Sequence, residues 1–428
     1  MNPHAHIRSL PREGAECRGS EPADAGLDGT KNCCVSQQCG LQDQATFEAA
    51  RQEATMTDAM TDVVLFDELP TACGRRFGLA TLNAPATLNA LSLPMVQALT
   101  PALRAWAADP GMAGVVLQAS GDKAFCAGGD LRELYQSMRD CGAGPNPYAQ
   151  GFFAQEYQLD HLIHRYPKPL LCWGHGIVMG GGIGLLAGAS HRVVTTTSKL
   201  AMPEISIGLY PDVGGSWFLR RMPGRVGLFL ALTGAPLNAA DALFCGLADF
   251  HVGATSRAEL LAAIGAAKWG DAAGDNHAEL SRLLACHATD TQAESRLRLH
   301  FDQINALMAG DDLLDIAARL RSLQSDDPWL AAAAATFTKG SPTSAALAFA
   351  LWQRVHHLSL AEVFRLEYRV SLGCCAHPDF AEGIRALLID KDRQPRWSPP
   401  VLEQVTPELI EDHFKPRFAA PHPLAALS

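Results

Sequence analysis

Short apolar runs alternate with helical periods between residues 63 and 250. The runs are rich in β-branched and aromatic residues, whereas the segments between them carry apolar residues three or four positions apart. This pattern predicts strands at residues 63–66, 77–82, 114–118, 169–173 and 192–196, and helices at residues 93–108, 130–138, 147–165 and 181–189. Strands joined through crossover helices favour parallel pairing, so we predict an α/β core.

The pattern of apolar residues changes after His251, where few strand-like runs remain and helical periods dominate. Helices are predicted at 216–221, 225–233 and 238–245, and then at 256–267, 313–323, 344–355, 360–372 and 407–413, with a loop at 269–275. We therefore divide the chain into a leader (1–61), a core (62–255) and a helical C-terminal region (256–428). The leader has no sustained apolar period, which predicts a disordered segment or a mis-assigned start, with Met56 or Met60 as the true one.

Composition narrows the class of protein. With 428 residues, of which 48% are hydrophobic, the chain can bury a substantial core. A net charge of -10 argues against a duplex nucleic-acid binder, which needs a basic face. The apolar stretch at residues 176–189 is short and rich in glycine, so no membrane span is expected. The 12 cysteines show no C-x-x-C spacing, which favours a reducing compartment and no structural metal.

Two glycine-rich loops each follow a predicted strand and open a predicted helix. The first is KAFCAGGDL (residues 123–131), where two glycines permit a sharp turn and leave the N–H of Gly129 unpaired. The second is MGGGIG (residues 179–184), which offers further free N–H groups. Two N–H donors from different loops commonly form an oxyanion hole, while a capped turn and tight helix packing are the alternative interpretations.

Two carboxylates follow these loops. Glu204 lies between apolar residues in AMPEISI, so burial would raise its pKa and suit it to general acid/base work; a surface carboxylate is the alternative. Asp212 precedes two glycines and fits an ordinary turn at least as well as a catalytic role. If loops and acids converge, they predict chemistry on an activated carbonyl such as a thioester.

The motifs together resemble the crotonase (enoyl-CoA hydratase/isomerase) superfamily, and within it the branch of 3-hydroxyisobutyryl-CoA hydrolases. The resemblance implies a crotonase-like spiral of β-β-α units, with C-terminal helices that close the site or join subunits, and it leaves a homo-oligomer open. It rests on these segments: TLNAL (87–91), KAFCAGGDL (123–131), GHGIVMGGGIG (174–184), AMPEISIGLYPDVGGSWFLRRMPG (201–224), SPTS (341–344), EYR (367–369), DFAEGIRA (379–386) and IDKD (389–392).

Site roles follow from the resemblance residue by residue. The backbone N–H groups of Gly129 and Gly181 would bind the thioester oxygen. Glu204 matches the acid shared by hydratases and hydrolases, and Asp212 matches an aspartate of the hydrolases. Glu156 matches a substrate-contacting glutamate of that branch, where a solvated helix charge is the alternative. The first of the two hydratase glutamates would fall at Gly184, so hydration is disfavoured.

The resemblance implies hydrolysis of 3-hydroxyisobutyryl-CoA, a step of valine breakdown, with 3-hydroxypropionyl-CoA as a second substrate. CoA is part of that substrate, and neither a metal nor another cofactor is expected. An enoyl-CoA hydratase or isomerase is the alternative activity, and a silent acyl-CoA-binding scaffold is the alternative class. The expected compartment is the cytoplasm for a bacterial protein and the mitochondrial matrix for a eukaryotic one.

The CoA phosphates lack an obvious partner in the sequence. The segment NAPA (residues 83–86) has no basic residue where the superfamily usually has one. By charge alone the candidates are Arg220, Arg221, Lys391 and Arg393, for each of which a solvated surface position is the alternative.

Overall fold

A computed structural model of the chain describes residues 63–428, so the predicted leader lies outside the described residues. The described part contains nine strands in two sheets. They are β1 (Val64–Pro70), β2 (Arg76–Leu82), β3 (Met112–Ala119), β4 (Ala124–Cys126), β5 (Leu170–Gly174), β6 (Ile177–Met179), β7 (His191–Val194), β8 (Lys199–Ala201) and β9 (Phe250–His251).

The larger sheet has six strands in the order β1-β2-β3-β5-β7-β9. Strands β1 and β2 form an antiparallel pair, and every other neighbouring pair is parallel. Val115 of β3 pairs with Leu170 of β5, and Leu171 of β5 pairs with His191 of β7. The largely parallel pairing predicted from the alternating pattern is therefore confirmed.

The smaller sheet consists of β4, β6 and β8, which are parallel to one another. Cys126 pairs with Val178, and Met179 pairs with Ala201. None of these strands was predicted, because three residues are too few to show an alternating pattern. Their importance is positional, since each leads directly into a segment of the candidate site.

Helices surround both sheets. Among the described residues they are α1 (Leu93–Ala108), α2 (Leu131–Cys141), α3 (Pro147–His164), α4 (Gly181–Gly188), α5 (Gly215–Leu219), α6 (Val226–Thr233), α7 (Ala239–Cys245), α8 (Arg257–Ala266), α9 (Ala273–His287), α10 (Arg296–Leu299), α11 (Phe301–Leu307), α12 (Leu313–Arg321), α13 (Pro328–Lys339), α14 (Pro342–Arg354), α15 (Leu360–Ala376), α16 (Pro378–Ile384) and α17 (Pro407–His413). In this part of the chain no helix is both long and apolar enough to cross a bilayer.

Most helix predictions are confirmed to within a few residues. Helices α1 and α17 have the predicted bounds, and Asn238 caps α7 in a capping box with Asp241. The loop predicted at 269–275 is wrong at its end, because α9 begins at Ala273. Helices α9, α10, α11, α13 and α16 were not predicted.

The larger sheet is covered on both faces. Successive side chains of a strand point to opposite faces, so Val115 and Leu117 of β3 enter the main core, whereas Val116 enters a second core. Helices α8 and α9 supply the outer side of that second core, with Leu260 and Leu284. Beyond β9 the described chain is helical, whereas the domain boundary at residue 255 stays a prediction.

Candidate active site

The three short strands bring three separate segments to one edge. The loop after β4 carries Gly129, Gly181 begins helix α4 just after β6, and the turn after β8 carries Glu204. Because β4, β6 and β8 are parallel neighbours, their C-terminal ends lie at the same edge of the smaller sheet. The convergence that the sequence left open is thus produced by this sheet.

The two glycine loops are in direct contact. A methyl group built on Gly181 would lie 3.5 Å from the backbone nitrogen of Gly129. Gly128 (φ 108°) and Gly180 (φ 48°) have left-handed backbone angles that favour glycine, and they turn the two loops toward each other. Within residues 63–428 no protein acceptor takes the N–H of Gly129 or Gly181. Both donors are therefore available to a ligand.

Glu204 opens a 3₁₀ turn (Glu204–Ile207) directly after β8. Its side chain is buried, and its Oε2 atom has no hydrogen-bond partner among the described residues. Burial raises the pKa of Glu204 well above its usual range, and the nearby Asp212 carboxylate raises it further. A methyl group on Gly180 would lie 3.1 Å from Oε1 of Glu204, so the acid stands beside the N–H pair.

Asp212 lies in a tight turn whose next two residues, Val213 (φ 52°) and Gly214 (φ 82°), have left-handed backbone angles. Such an angle is rare for a β-branched residue and indicates local strain. The carboxylate is buried and accepts a hydrogen bond of 2.7 Å from the Tyr157 hydroxyl. Burial raises the pKa of Asp212 to about 6, and the Tyr157 hydrogen bond opposes this rise.

Gly184 makes room for this turn. A methyl group on Gly184 would lie 2.8 Å from Cβ of Val213 and 3.1 Å from Oδ1 of Asp160. A glutamate at position 184 would therefore collide with the residue after Asp212. The absence of an acid at position 184 and the turn that carries Asp212 therefore depend on the same contact between Gly184 and Val213.

Glu156 faces the same site from helix α3. Its Oε1 atom would lie 2.9 Å from a methyl group on Gly181, and its side chain is only 3% exposed. The alternative of a solvated helix charge is therefore wrong. Burial raises the pKa of Glu156 well above its usual range, and the charge of Asp212 adds to that effect.

One cavity of about 500 Å³ unites the five residues singled out in the sequence. Phe152 and Phe153 contribute to its apolar wall, and Leu387, Leu388 and Lys391 lie on its lining from the C-terminal region. The five are Glu156, Glu204, Asp212, Gly129 and Gly181. The arrangement can bind an acyl group of modest size between two N–H donors and three carboxyl groups.

Glu367 of α15 fixes the turn after Asp212, although the sequence did not point to a role for this residue. Its Oε2 atom accepts from the Gly214 N–H at 2.8 Å, and its Oε1 atom accepts from the Ser216 N–H at 2.9 Å. The side chain is fully buried, so these bonds are shielded from water. The sequence offered no clear signal for this role, because the same helix carries a second acid, Glu362, and Glu367 stands between Arg365 and Arg369.

Of the four basic candidates for CoA phosphates, Lys391 lies on the cavity lining. Arg220 and Arg221 instead stack on Trp352 and Trp217, with the guanidinium carbon 4.4 Å and 4.0 Å from the ring centres. Arg132, which was not predicted, joins Lys391 on the lining. In the described part of the chain, neither Lys391 nor Arg132 takes part in an ion pair with the protein.

The described residues contain no group of three or more His, Cys, Asp or Glu side chains that could hold a metal ion. That the reaction needs neither a metal nor a further cofactor stays a prediction.

Comparison with known proteins identifies the family. The sequence pattern described as enoyl-CoA hydratase/isomerase matches residues 77–414. The chain belongs to the enoyl-CoA hydratase/isomerase family. It is 37% identical over 361 residues to a protein of Gallus gallus named 3-hydroxyisobutyryl-CoA hydrolase, mitochondrial, covering 84% of this chain and 90% of the relative.

Two solved structures of enoyl-CoA hydratase/isomerase type share the fold, which confirms the predicted class. An enoyl-CoA hydratase from Rhodobacter sphaeroides 2.4.1 matches with a TM-score of 0.71 and 38% identity over 83% of this chain and 97% of that one. A carnitinyl-CoA dehydratase from Mycobacterium thermoresistibile matches with a TM-score of 0.73 and 38% identity over 84% and 98%. The names of these relatives describe different reactions, so the reaction of this chain has to be inferred from its site.

Proposed function

We propose that this protein hydrolyses 3-hydroxyisobutyryl-CoA to 3-hydroxyisobutyrate and CoA. The observation that carries the proposal is the pairing of Glu204 with Asp212 beside the two glycine N–H groups, while Gly184 is packed under Val213. A hydratase needs a second glutamate at that place, and the packing excludes one. The name of the Gallus gallus relative supports the same reaction.

The oxyanion is stabilised by the N–H groups of Gly129 and Gly181. These donors bind the thioester oxygen, and their hydrogen bonds strengthen as negative charge develops on it. No protein acceptor among the described residues competes for either N–H. The pair therefore lowers the barrier to nucleophilic attack on the carbonyl carbon.

Glu204 has two routes open to it. In the first, its carboxylate takes a proton from water, the water oxygen bonds to the carbonyl carbon, the C–S bond breaks, and the CoA thiolate receives the proton. In the second, the carboxylate itself bonds to the carbonyl carbon and expels the thiolate, and water then cleaves the anhydride. A pKa raised by burial makes the ionised Glu204 a stronger base in the first route and a stronger nucleophile in the second.

Glu156 and Asp212 recognise the hydroxyl group of the substrate. Both carboxyl groups are buried on the cavity lining, where a substrate hydroxyl can replace the water that they would otherwise need. An acyl group without a hydroxyl leaves one of them unpaired, which costs binding energy. The same recognition accommodates 3-hydroxypropionyl-CoA as a second substrate.

Release of free CoA thiol tests the reaction and the recognition together. We expect purified protein to release thiol from 3-hydroxyisobutyryl-CoA with a kcat/KM up to roughly 10⁴-fold higher than from isobutyryl-CoA, which lacks only the hydroxyl. The assay follows both substrates at matched concentrations with a thiol reagent. Equal values for the two substrates would contradict hydroxyl recognition by Glu156 and Asp212.

Lys391 is expected to contact a phosphate group of CoA. The change Lys391→Ala should raise the KM for the acyl-CoA by about three- to tenfold with kcat nearly unchanged, because the residue is exposed at the cavity rather than beside the reacting carbonyl. The difference should shrink at high salt, which screens exposed charges. Lys268→Ala, at an exposed position away from the cavity, is the matched control; an equal rise in both variants would argue against the assignment.

An enoyl-CoA hydratase or isomerase is the second candidate function, favoured by the names of the two solved relatives. An isomerase can use a single acid at Glu204 but leaves Asp212 without a role. For the cellular compartment, we propose the mitochondrial matrix in a eukaryote and the cytoplasm in a bacterium; the Gallus gallus relative is named mitochondrial.

A further inference from the structure

Three buried hydroxyl groups connect Asp212 to helix α15. The Tyr157 hydroxyl lies 2.7 Å from Oδ2 of Asp212 and 2.7 Å from the Ser371 hydroxyl. The Ser371 hydroxyl lies 2.9 Å from the Tyr210 hydroxyl, which donates to the backbone carbonyl of Glu367 at 2.8 Å. We call Tyr157, Ser371 and Tyr210 the hydroxyl chain. All three side chains are fully buried.

The hydroxyl chain is one hydrogen short when Asp212 is ionised. Four contacts run from the carboxylate to the Glu367 carbonyl, and both ends are then acceptors. Tyr157 donates to Asp212, Tyr210 donates to the carbonyl, and the Ser371 hydrogen can fill only one of its two contacts. Two oxygen atoms then face each other below 3 Å without a hydrogen between them.

The shortage disappears when Asp212 carries a proton. Its carboxylic O–H then donates to Tyr157, Tyr157 donates to Ser371, Ser371 donates to Tyr210, and Tyr210 donates to the Glu367 carbonyl. Every contact has one hydrogen and every hydroxyl donates once. The geometry of the chain therefore favours the protonated acid.

We propose that Tyr157, Ser371 and Tyr210 are positioning residues through which helix α15 sets the protonation state of Asp212. The proposal rests on the proposed function, in which Asp212 handles the substrate hydroxyl or the water. A near-neutral titration, in line with the pKa of about 6 that burial produces, lets Asp212 accept and return a proton during turnover.

Within residues 63–428, the other titratable groups whose charges interact with Asp212 are acids, tyrosines or thiols. Like charges among them oppose ionisation in a dry site, so a hydrogen-bond donor has a large influence there. The groups that are electrostatically coupled to Asp212 are Glu156, Tyr157 and Asp160 on α3, Glu204 and Tyr210 on the turns that follow β8, and Glu367, Cys374 and Cys375 on α15.

Two substitutions in the chain should shift the titration of Asp212 in opposite directions. In Ser371→Ala, Tyr157 still donates to the carboxylate and Tyr210 still donates to the Glu367 carbonyl, so the ionised form is satisfied. The protonated form is weakened, because the Tyr157 hydroxyl then has no acceptor. The apparent pKa should fall by about one pH unit, the equivalent of one net hydrogen bond. Tyr157→Phe leaves the buried Asp212 charge without the donor that stabilises it, and this costs more than the neutral hydrogen bonds that the protonated form loses, so the apparent pKa should rise.

Two readouts follow this titration in the full chain. One is the pH dependence of kcat/KM, and the other is the carbon resonance of Asp212 in protein labelled with [4-¹³C]aspartate, assigned by its absence from Asp212→Asn. Tyr210→Phe is a second variant in which the apparent pKa of Asp212 should fall, because it also leaves enough hydrogens for the ionised form. Ser344→Ala and Tyr166→Phe are the matched controls: the buried Ser344 hydroxyl has no partner among the described residues, and Tyr166 donates to Leu103 instead.

Opposite shifts of the resonance in Ser371→Ala and Tyr157→Phe, with no shift in the controls, would support the chain. Because the resonance needs no turnover, this result would hold even if no thiol release were found, and only the proposed function would then fail. Shifts of the same sign in both variants, or none in either, would overturn the inference.

Discussion

Glu204→Gln is expected to lower kcat for thioester hydrolysis by roughly 10²–10⁴-fold, the usual contribution of a general acid or base. Glutamine keeps the size of the side chain but can neither take a proton from water nor attack the carbonyl carbon. Binding should persist, because the N–H groups of Gly129 and Gly181 and the cavity wall are untouched. Thiol release measures the loss of rate, and calorimetry with a non-hydrolysable CoA thioether measures the binding.

The control for Glu204→Gln is the same change at Glu259, an exposed position on α8. That variant should match the wild type in both measurements. Oε2 of Glu204 has no hydrogen-bond partner among the described residues, so glutamine breaks no bond there and the variant should fold. Activity of Glu204→Gln within threefold of the wild type would refute the role assigned to this acid.

Gly181→Ala should lower kcat by about 10²–10³-fold, the loss that accompanies removal of one oxyanion donor. The added methyl group would lie 3.5 Å from the nitrogen of Gly129, where the thioester oxygen must sit to accept its hydrogen bond. It would also lie 2.9 Å from Oε1 of Glu156, whose flexible end can move aside. The loss should therefore fall on catalysis more than on folding, as steady-state kinetics beside a thermal melt would show.

Gly274→Ala provides a matched glycine-to-alanine control for this variant. Gly274 lies in α9, and nothing comes within 4 Å of a methyl group built on it. Its kinetics should equal those of the wild type. If Gly181→Ala kept full kcat with a normal melting temperature, the oxyanion site would have to be sought elsewhere in the cavity.

The residues of the candidate site could be predicted from the sequence, but their spatial convergence in the folded chain could not. Gly129 and Gly181 stand out because each follows a strand and opens a helix, and Glu204 stands out in an apolar segment. Their convergence depends on β4, β6 and β8, which have three residues each and no readable period. A resemblance to a family of known fold supplied that arrangement, and local pattern did not.

Gly184 shows what the structure adds to a correct sequence argument. From the sequence, the glycine is only the absence of a second acid. In the fold, it is the space into which Val213 packs, with a strained backbone beside Asp212. A glycine-to-valine contact across 29 positions leaves no mark in the hydrophobic period, so this coupling needed coordinates in three dimensions.

The contribution of helix α15 was out of reach for the same reason. Glu367 holds the Gly214 N–H from 153 positions away, and Ser371 reaches Tyr157 from 214 positions away. In the sequence, both belong to an ordinary amphipathic helix. The helical C-terminal region is thus part of the candidate site, since it holds the turn that carries Asp212.

The most direct test of the account measures two reactions of the same purified protein side by side. Free thiol is followed with 3-hydroxyisobutyryl-CoA, and loss of enoyl absorbance is followed with crotonyl-CoA. The account predicts rapid thiol release that depends on Glu204, and no hydration of crotonyl-CoA above the rate of Glu204→Gln. Rapid loss of the enoyl absorbance without release of thiol would contradict it.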